Sequence, residues 1–384
     1  MNGVYLDNAA TTRVSEESAR AACDAMLTRW GNPSSGHALG LDAERILDSA
    51  RRATAAELRV REDEIFFTSG GTEANNTALL GAARAKRRTG NRVIISAVEH
   101  SSVLDSAAQL EAEGFDVVRI SPRDDGVINV DDVAQALTDD TVLLSFMMVN
   151  NETGAVTDIA AISRLLKRVR SGAILHCDAV QAFGKLDVNA DRLGCDLLSL
   201  SGHKIHAPKG VGALYCRKGV RILPLHFGGE QQHKLRPGTE PVPLIAALDA
   251  AVRALPPKGE RLAPIYELNG YCRERLLADD IQSLAHIVIN SPDGAAPHII
   301  SFATGCIKSE TMLNFLSERG IYVSAGSACS KGRASHVLTS LGLEPHIADS
   351  TIRVSFCEDN TKDDIDALTD ALKEALTRLV RFRK

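Results

Sequence analysis

Short apolar runs alternate with helix-patterned stretches from residue 64 onward. Glu64-Ile65-Phe66-Phe67-Thr68, Arg92-Val93-Ile94-Ile95-Ser96, Asp116-Val117-Val118-Arg119-Ile120 and Val142-Leu143-Leu144-Ser145-Phe146 read as strands. Residues 72–88, 101–113, 131–138 and 158–170 read as helices. A strand that returns parallel to its predecessor needs a long crossover, and a helix is the usual one. The alternation therefore dictates an α/β fold: a mostly parallel sheet with helices on both faces. Ligands of such sheets sit beyond the carboxyl ends of the strands, where Thr68-Ser69-Gly70-Gly71, Asp178 and Lys204 all fall.

The pattern changes at Leu255-Pro256-Pro257-Lys258-Gly259. Beyond it, residues 260–278 and 361–379 read as helices. Residues 287–289, 298–302, 321–323 and 351–354 read as shorter strands. We expect a large domain over residues 16–255 and a smaller α+β domain made from 1–15 with 256–384.

Charge and cysteine content narrow the function classes. A net charge of -5 over 384 residues gives no reason to expect direct nucleic-acid binding. No apolar run is long enough to span a bilayer, so no membrane partner is expected. Met1 to Asp7 has neither the basic region nor the apolar run of a secretion signal. The eight cysteines (23, 177, 195, 216, 272, 306, 329 and 357) contain no Cys-x-x-Cys pair. They are expected to be reduced, with no disulfide framework and no zinc site, in a cytoplasmic protein.

Two residues point to chemistry. Lys204 follows the apolar run Leu197-Leu198-Ser199-Leu200, and Asp178 follows Ala173-Ile174-Leu175. An amine and a carboxylate at the ends of neighbouring buried strands are what pyridoxal 5'-phosphate requires. The amine binds the aldehyde covalently, and the carboxylate keeps the pyridine nitrogen protonated. Each has a plainer reading, as a solvated loop lysine and as a turn residue. Gly70-Gly71-Thr72 opens a helix after a strand, so its amides and the Thr72 hydroxyl suit a phosphate or a simple helix cap. Ser201 and His203 flank Lys204 as further phosphate donors. Gln181 is placed to bond the cofactor's phenolic oxygen, and His100 to stack on its ring.

Cys329 lies in Gly326-Ser327-Ala328-Cys329-Ser330-Lys331-Gly332-Arg333, among small and polar neighbours. The adjacent cations favour its thiolate, the nucleophilic form. Cys177, Cys195 and Cys216 sit beside apolar strands and read as core. Arg353, inside Thr351-Ile352-Arg353-Val354, calls for an anionic partner: a substrate carboxylate or a structural ion pair.

Taken in order, these motifs resemble the cysteine desulfurases of the nitrogen-fixation and iron–sulfur assembly type. These are class V, fold-type I enzymes dependent on pyridoxal phosphate. The match runs from Tyr5-Leu6-Asp7-Asn8-Ala9-Ala10-Thr11-Thr12 through Gly31-Asn32-Pro33-Ser34-Ser35 and Thr68-Ser69-Gly70-Gly71-Thr72-Glu73 to Val149-Asn150-Asn151-Glu152-Thr153-Gly154. It continues through Asp178-Ala179-Val180-Gln181, Ser201-Gly202-His203-Lys204 and Arg236-Pro237-Gly238-Thr239-Glu240 to the Cys329 loop.

The resemblance implies roles. Lys204 carries the cofactor and moves protons, Asp178 holds the ring nitrogen, and His100 stacks on the ring and acts in catalysis. Gln181 and Asn151 face the phenolic oxygen, while Gly71, Thr72, Ser201 and His203 hold the phosphate. Thr239 reaches the phosphate of a second subunit, which implies a homodimer. Arg353 and Asn8 bind L-cysteine. Cys329 takes its sulfur as a persulfide for an acceptor protein, either an iron–sulfur scaffold or a tRNA-thiolation protein. Ser324-Ala325 stands where the family commonly has two serines, and the stretch from Ser330 to His336 is shorter than in the assembly subgroup; the acceptor is left open. The competing functions are a selenocysteine lyase, a class V aminotransferase, and a sulfur-delivery scaffold without catalysis.

Overall fold

The computed structural model describes residues 3–123, 126–325 and 335–381. The strands in chain order are β1 (Val4–Tyr5), β2 (Ile65–Thr68), β3 (Arg92–Ser96), β4 (Asp116–Ile120), β5 (Thr141–Met147) and β6 (Ile174–Asp178). They continue with β7 (Leu197–Ser201), β8 (Gly212–Cys216), β9 (Val288–Ile289), β10 (Ile299–Ala303), β11 (Ile321–Tyr322) and β12 (Thr351–Ser355).

β2 to β8 form one sheet in the order β2-β8-β7-β6-β5-β3-β4. β8 runs antiparallel to both its neighbours, and the remaining pairs are parallel. Every residue of β5 to β8 is buried, as helices on both faces require. Alternate residues feed opposite faces. Val93, Ile95, Leu143 and Leu197 pack with the helix Gly71–Lys86, whereas Ile94, Leu144 and Leu198 pack with Ile159–Arg168 and Val242–Arg253.

A separate apolar cluster gathers Leu6, Ile265, Leu268, Phe302, Ile352, Val354 and Leu372 around the sheet β12-β10-β9. We propose the division into 16–255 and 1–15 with 256–384 on this basis. The two parts interlock, because Ala296, Ile299 and Val337 pack into the larger core.

The expected helices recur as Gly71–Lys86, Ser101–Ala112, Val130–Ala136, Ile159–Arg168, Ala263–Leu276 and Lys362–Arg378. Glu16–Leu27 and Ala38–Leu58 are helices that the apolar pattern did not announce. The buried face of the first is Ser18, Ala22 and Ala25, so no large apolar side chain marks the face that packs.

The N-terminal segment joins the two parts. β1 pairs in parallel with β11, Asp7 bridges to Ser355, and the chain then crosses to the end of β7. There the Thr12 amide donates to the His203 carbonyl at 2.9 Å.

Candidate active site

The carboxyl ends of β2, β3, β5, β6 and β7 converge on one region. β6 and β7 are hydrogen-bonded neighbours, so Asp178, the last residue of β6, and Lys204, three residues past the end of β7, come close enough for their charges to interact. Lys204 sits in a short 3-10 turn and is 9% exposed. Its Nζ donates to the carbonyls of Ala9 at 2.5 Å and Ala10 at 2.7 Å. Burial, then the positive charges of Lys185 and Arg353, lower its pKa to about 7. A large share of the amine is therefore neutral, and nucleophilic, near neutral pH.

Asp178 is also buried. Its Oδ2 accepts from Asn75 Nδ2 at 2.7 Å, and its Oδ1 from the Val180 amide at 2.9 Å. Asn75 lies one turn into the helix that begins at Gly71, so one helix positions both. Sequence reasoning gave Asn75 no role, although its spacing of four from Gly71 puts it on the face toward the sheet. Asn75 Nδ2 also donates to Ser102 Oγ, which meets His100 Nδ1 at 2.9 Å. His100 is the N-cap of Ser101–Ala112, and burial lowers its pKa.

The helix Gly71–Lys86 begins without a side-chain cap, so its first amides remain available. Gly70 has φ +150, and a Cβ on Gly71 would meet Val180 Cγ2 at 2.7 Å. Gly70 is thus required by its backbone conformation and Gly71 by close approach. Ser201 is buried at the end of β7, and Thr72 is exposed. His203 Nδ1 lies 3.2 Å from Thr11 Oγ1, and burial with the Lys204 charge pushes its ring down to about 4, so it is neutral.

Gln181 donates to the Ala9 carbonyl at 2.9 Å, and its buried Oε1 has no partner. Thr239 is exposed, on a turn whose Arg236 pairs with Glu73 at 2.9 Å. Arg353 is 2% exposed; it pairs with Asp7 at 2.7 Å and donates to the Asn151 carbonyl at 2.8 Å. The structural ion pair is therefore present, with Asn151 held beside it. Asn8 spends its amide nitrogen on Ser355 O at 2.9 Å and Asn360 Oδ1 at 3.1 Å, so that end of the side chain serves the fold.

Cys329 lies outside the described residues, as do Lys331 and Arg333. The chain on either side of it is fixed at the site. Ser324 bonds to the Arg353 backbone through its own amide and carbonyl. Ser335 donates to buried Glu152 at 2.5 Å, and His336 Nε2 lies 2.9 Å from the Glu99 carbonyl, next to His100. Glu99, Glu152 and His336 escaped sequence reasoning because their partners are far away along the chain. The cysteines read as core, 177, 195 and 216, are buried, and the described cysteines are all unpaired.

A class-V aminotransferase model matches residues 4–368. The chain belongs to the class-V aminotransferase family. It is 38% identical over 98% of its length to "Cysteine desulfurase IscS" of Methanosarcina thermophila, covering 92% of that protein. A structure titled "NIFS-LIKE PROTEIN" superposes with a TM-score of 0.91 at 34% identity, covering 98% of this chain and 100% of that one. Another, "SspA in complex with cysteine", does so with a TM-score of 0.81 at 34% identity, covering 92% and 98%.

Class-V enzymes of this kind use pyridoxal phosphate. The residues fit it. They offer a buried amine, a buried carboxylate with a neighbouring amide, uncapped helix amides, and buried acceptors on Asn75 and Gln181 without partners. When bound, the cofactor supplies an electron sink that withdraws electrons from the carbon attached to the substrate nitrogen.

Proposed function

We infer that the protein is a pyridoxal-phosphate-dependent cysteine desulfurase. It cleaves the carbon–sulfur bond of L-cysteine, passes the sulfur to a protein thiol, and releases L-alanine. The observation that carries this reading is the Lys204 amine: buried, lowered to about 7, and one strand away from the Asp178 carboxylate. Full-length similarity to a named desulfurase supports the substrate class.

The residues divide the work. Lys204 holds the cofactor and, once released, is the base that takes the substrate's α-proton and returns it. Asp178, oriented by Asn75, keeps a proton on the ring nitrogen, and His100 covers the ring. The free amides from Gly71 and Thr72, with Ser201 and His203, hold the phosphate. Gln181 and Asn151 would bond the cofactor's phenolic oxygen. Arg353 takes the substrate carboxylate, exchanging its bond to Asp7 for one to substrate, and Asn8 holds the segment that carries Asp7.

Cys329 is the sulfur acceptor. Its thiolate attacks the substrate sulfur, the carbon–sulfur bond breaks with its electron pair going to the β-carbon, and that carbon takes up one proton, equivalent to the one the thiol gave up, to become the alanine methyl. One persulfide and one alanine form per L-cysteine, with no outside oxidant or reductant. The chain flanking Cys329 is anchored beside Arg353 at one end and beside Glu152 and Glu99 at the other, which supports its reaching the substrate.

Thr239, exposed beside the Arg236–Glu73 pair, would reach the phosphate of a second copy in a homodimer. The sulfur then passes to an acceptor protein of iron–sulfur assembly or tRNA thiolation. Unpaired thiols suit a cytoplasmic setting, and none of the described helices is long and apolar enough to cross a membrane.

The test is incubation with L-cysteine. Alanine should appear, and mass analysis should find one additional sulfur on the Cys329 peptide. Activity on L-cysteine that persists in Cys329→Ala, with the 2-oxo acid rather than alanine as product, would overturn the reading in favour of an aminotransferase.

A further inference from the structure

A second cavity, of about 50 Å³, shares Lys204 with the site but is not lined by Asp178, Gly71 or Ser201. Its walls include Thr12, Lys185, His298, Phe356 and Cys357. His298 is 2% exposed, and neither of its ring nitrogens has a hydrogen-bond partner. The Gln181 carbonyl is close enough to favour protonation of the ring, but without hydrogen-bond geometry. Part of Lys185 reaches solvent, yet its Nζ is buried and also unbonded. Burial lowers Lys185 to about 8, which leaves most of it cationic at neutral pH.

The one carboxylate in the walls, Glu358, offsets that charge only from a distance. Burial pushes the Cys357 thiol up to about 12, so it is uncharged. Glu358 turns to His206 at 3.3 Å and its side chain is 58% exposed. Asp7 is engaged by Arg353, and Arg261 of the same cavity is held by Glu57 at 2.9 Å. A buried ammonium and a buried imidazole at one cavity, both without hydrogen-bond partners, leave an unmet demand for an acceptor, and a negatively charged one suits the ammonium best.

We propose that this cavity is a binding site for one small monovalent anion, held between Lys185 Nζ and the N–H of His298. Water would satisfy the hydrogen bonds but not the charge, and a metal ion would be repelled by Lys185. A space of this size holds roughly three or four water-sized groups, which suits a halide, formate or bicarbonate. The Lys185 charge also acts on Lys204, so an occupied site restores protons to the Lys204 amine.

The test uses holoenzyme crystals soaked in sodium bromide. An anomalous peak within hydrogen-bond reach of Lys185 Nζ and His298 is expected; water alone at that position overturns the proposal. In solution, the melting temperature should rise with chloride relative to gluconate at equal ionic strength, because binding to the folded state stabilises it. Lys185→Met should weaken the apparent chloride affinity at least tenfold, and His298→Gln does the same duty if the first variant fails to fold. An unchanged chloride response in both variants also overturns it. Formate and bicarbonate arms separate a carboxylate site from a halide site. No arm needs L-cysteine, so failure here leaves the desulfurase reading standing, and the reverse holds.

Discussion

At the ends of β6 and β7, Asp178 and Lys204 are set by strand ladders on both sides. Across the site, Arg353 has a ladder with β10 on one side, but its guanidinium is aimed by one carboxylate, Asp7, and one carbonyl, of Asn151. The strands that carry the first region lie within residues 65–216 and are laddered into one sheet, with Ala9 and Ala10 closing on the Lys204 amine. The second is stitched from residues near 7, 151, 324 and 353, far apart in sequence and brought together only when both cores form. The laddered side suits a cofactor that must stay still. The stitched side suits a substrate that must enter.

The largest expected effect breaks the laddered side. Lys204→Ala should lower desulfurase activity by ~10³-fold or more, and borohydride should no longer fix the cofactor to the chain. Asp178→Asn should follow at about 10²–10³-fold in kcat with the cofactor still bound, read by steady-state kinetics and visible absorption.

A break on the stitched side should look different. Asp7→Ala leaves a buried guanidinium without its carboxylate, for a loss of about 3–5 kcal/mol in unfolding free energy. Denaturant unfolding checks it, and KM for L-cysteine should move as Arg353 loses its aim. Arg236→Ala, which frees the turn carrying Thr239, should weaken cofactor affinity by about tenfold or less, measured by equilibrium dialysis.

Titration sharpens the contrast. Burial raises the Glu99 carboxyl to about 8, above its unfolded value, so the folded protein holds a proton there that the unfolded chain has released. That contribution to stability is complete below the unfolded carboxylate pKa and is lost as pH rises through about 8. Glu99→Gln should therefore flatten the fall in melting temperature between about pH 5 and 8. Lys204 runs the other way: its pKa is depressed, so cofactor binding to the apo-protein should accelerate as pH rises through about 7 and then level off.

The legibility of the sequence follows the same divide. β2 to β7 and the helices between them could be read from apolar runs, because parallel strands buried on both faces are nearly continuous in Val, Ile and Leu. Asp178, Lys204 and the glycines at 70 and 71 were legible because each directly follows such a run. Glu16–Leu27 was not, since its buried face is alanine and serine. Asn75, Glu99, Glu152 and Asp7 were missed as site residues for another reason. Their meaning lies in partners up to 346 positions away, which no local pattern records.

Ala9 and Ala10 end a segment that begins in one core and finishes against the other, and their carbonyls hold the uncombined Lys204 amine. Once that nitrogen is committed elsewhere, both oxygens lose a donor, and the grip on the first dozen residues slackens. Amide hydrogen exchange in that stretch should accordingly run faster in loaded protein than in empty protein. The amino terminus would then act as a gauge of cofactor occupancy, readable without following the reaction at all.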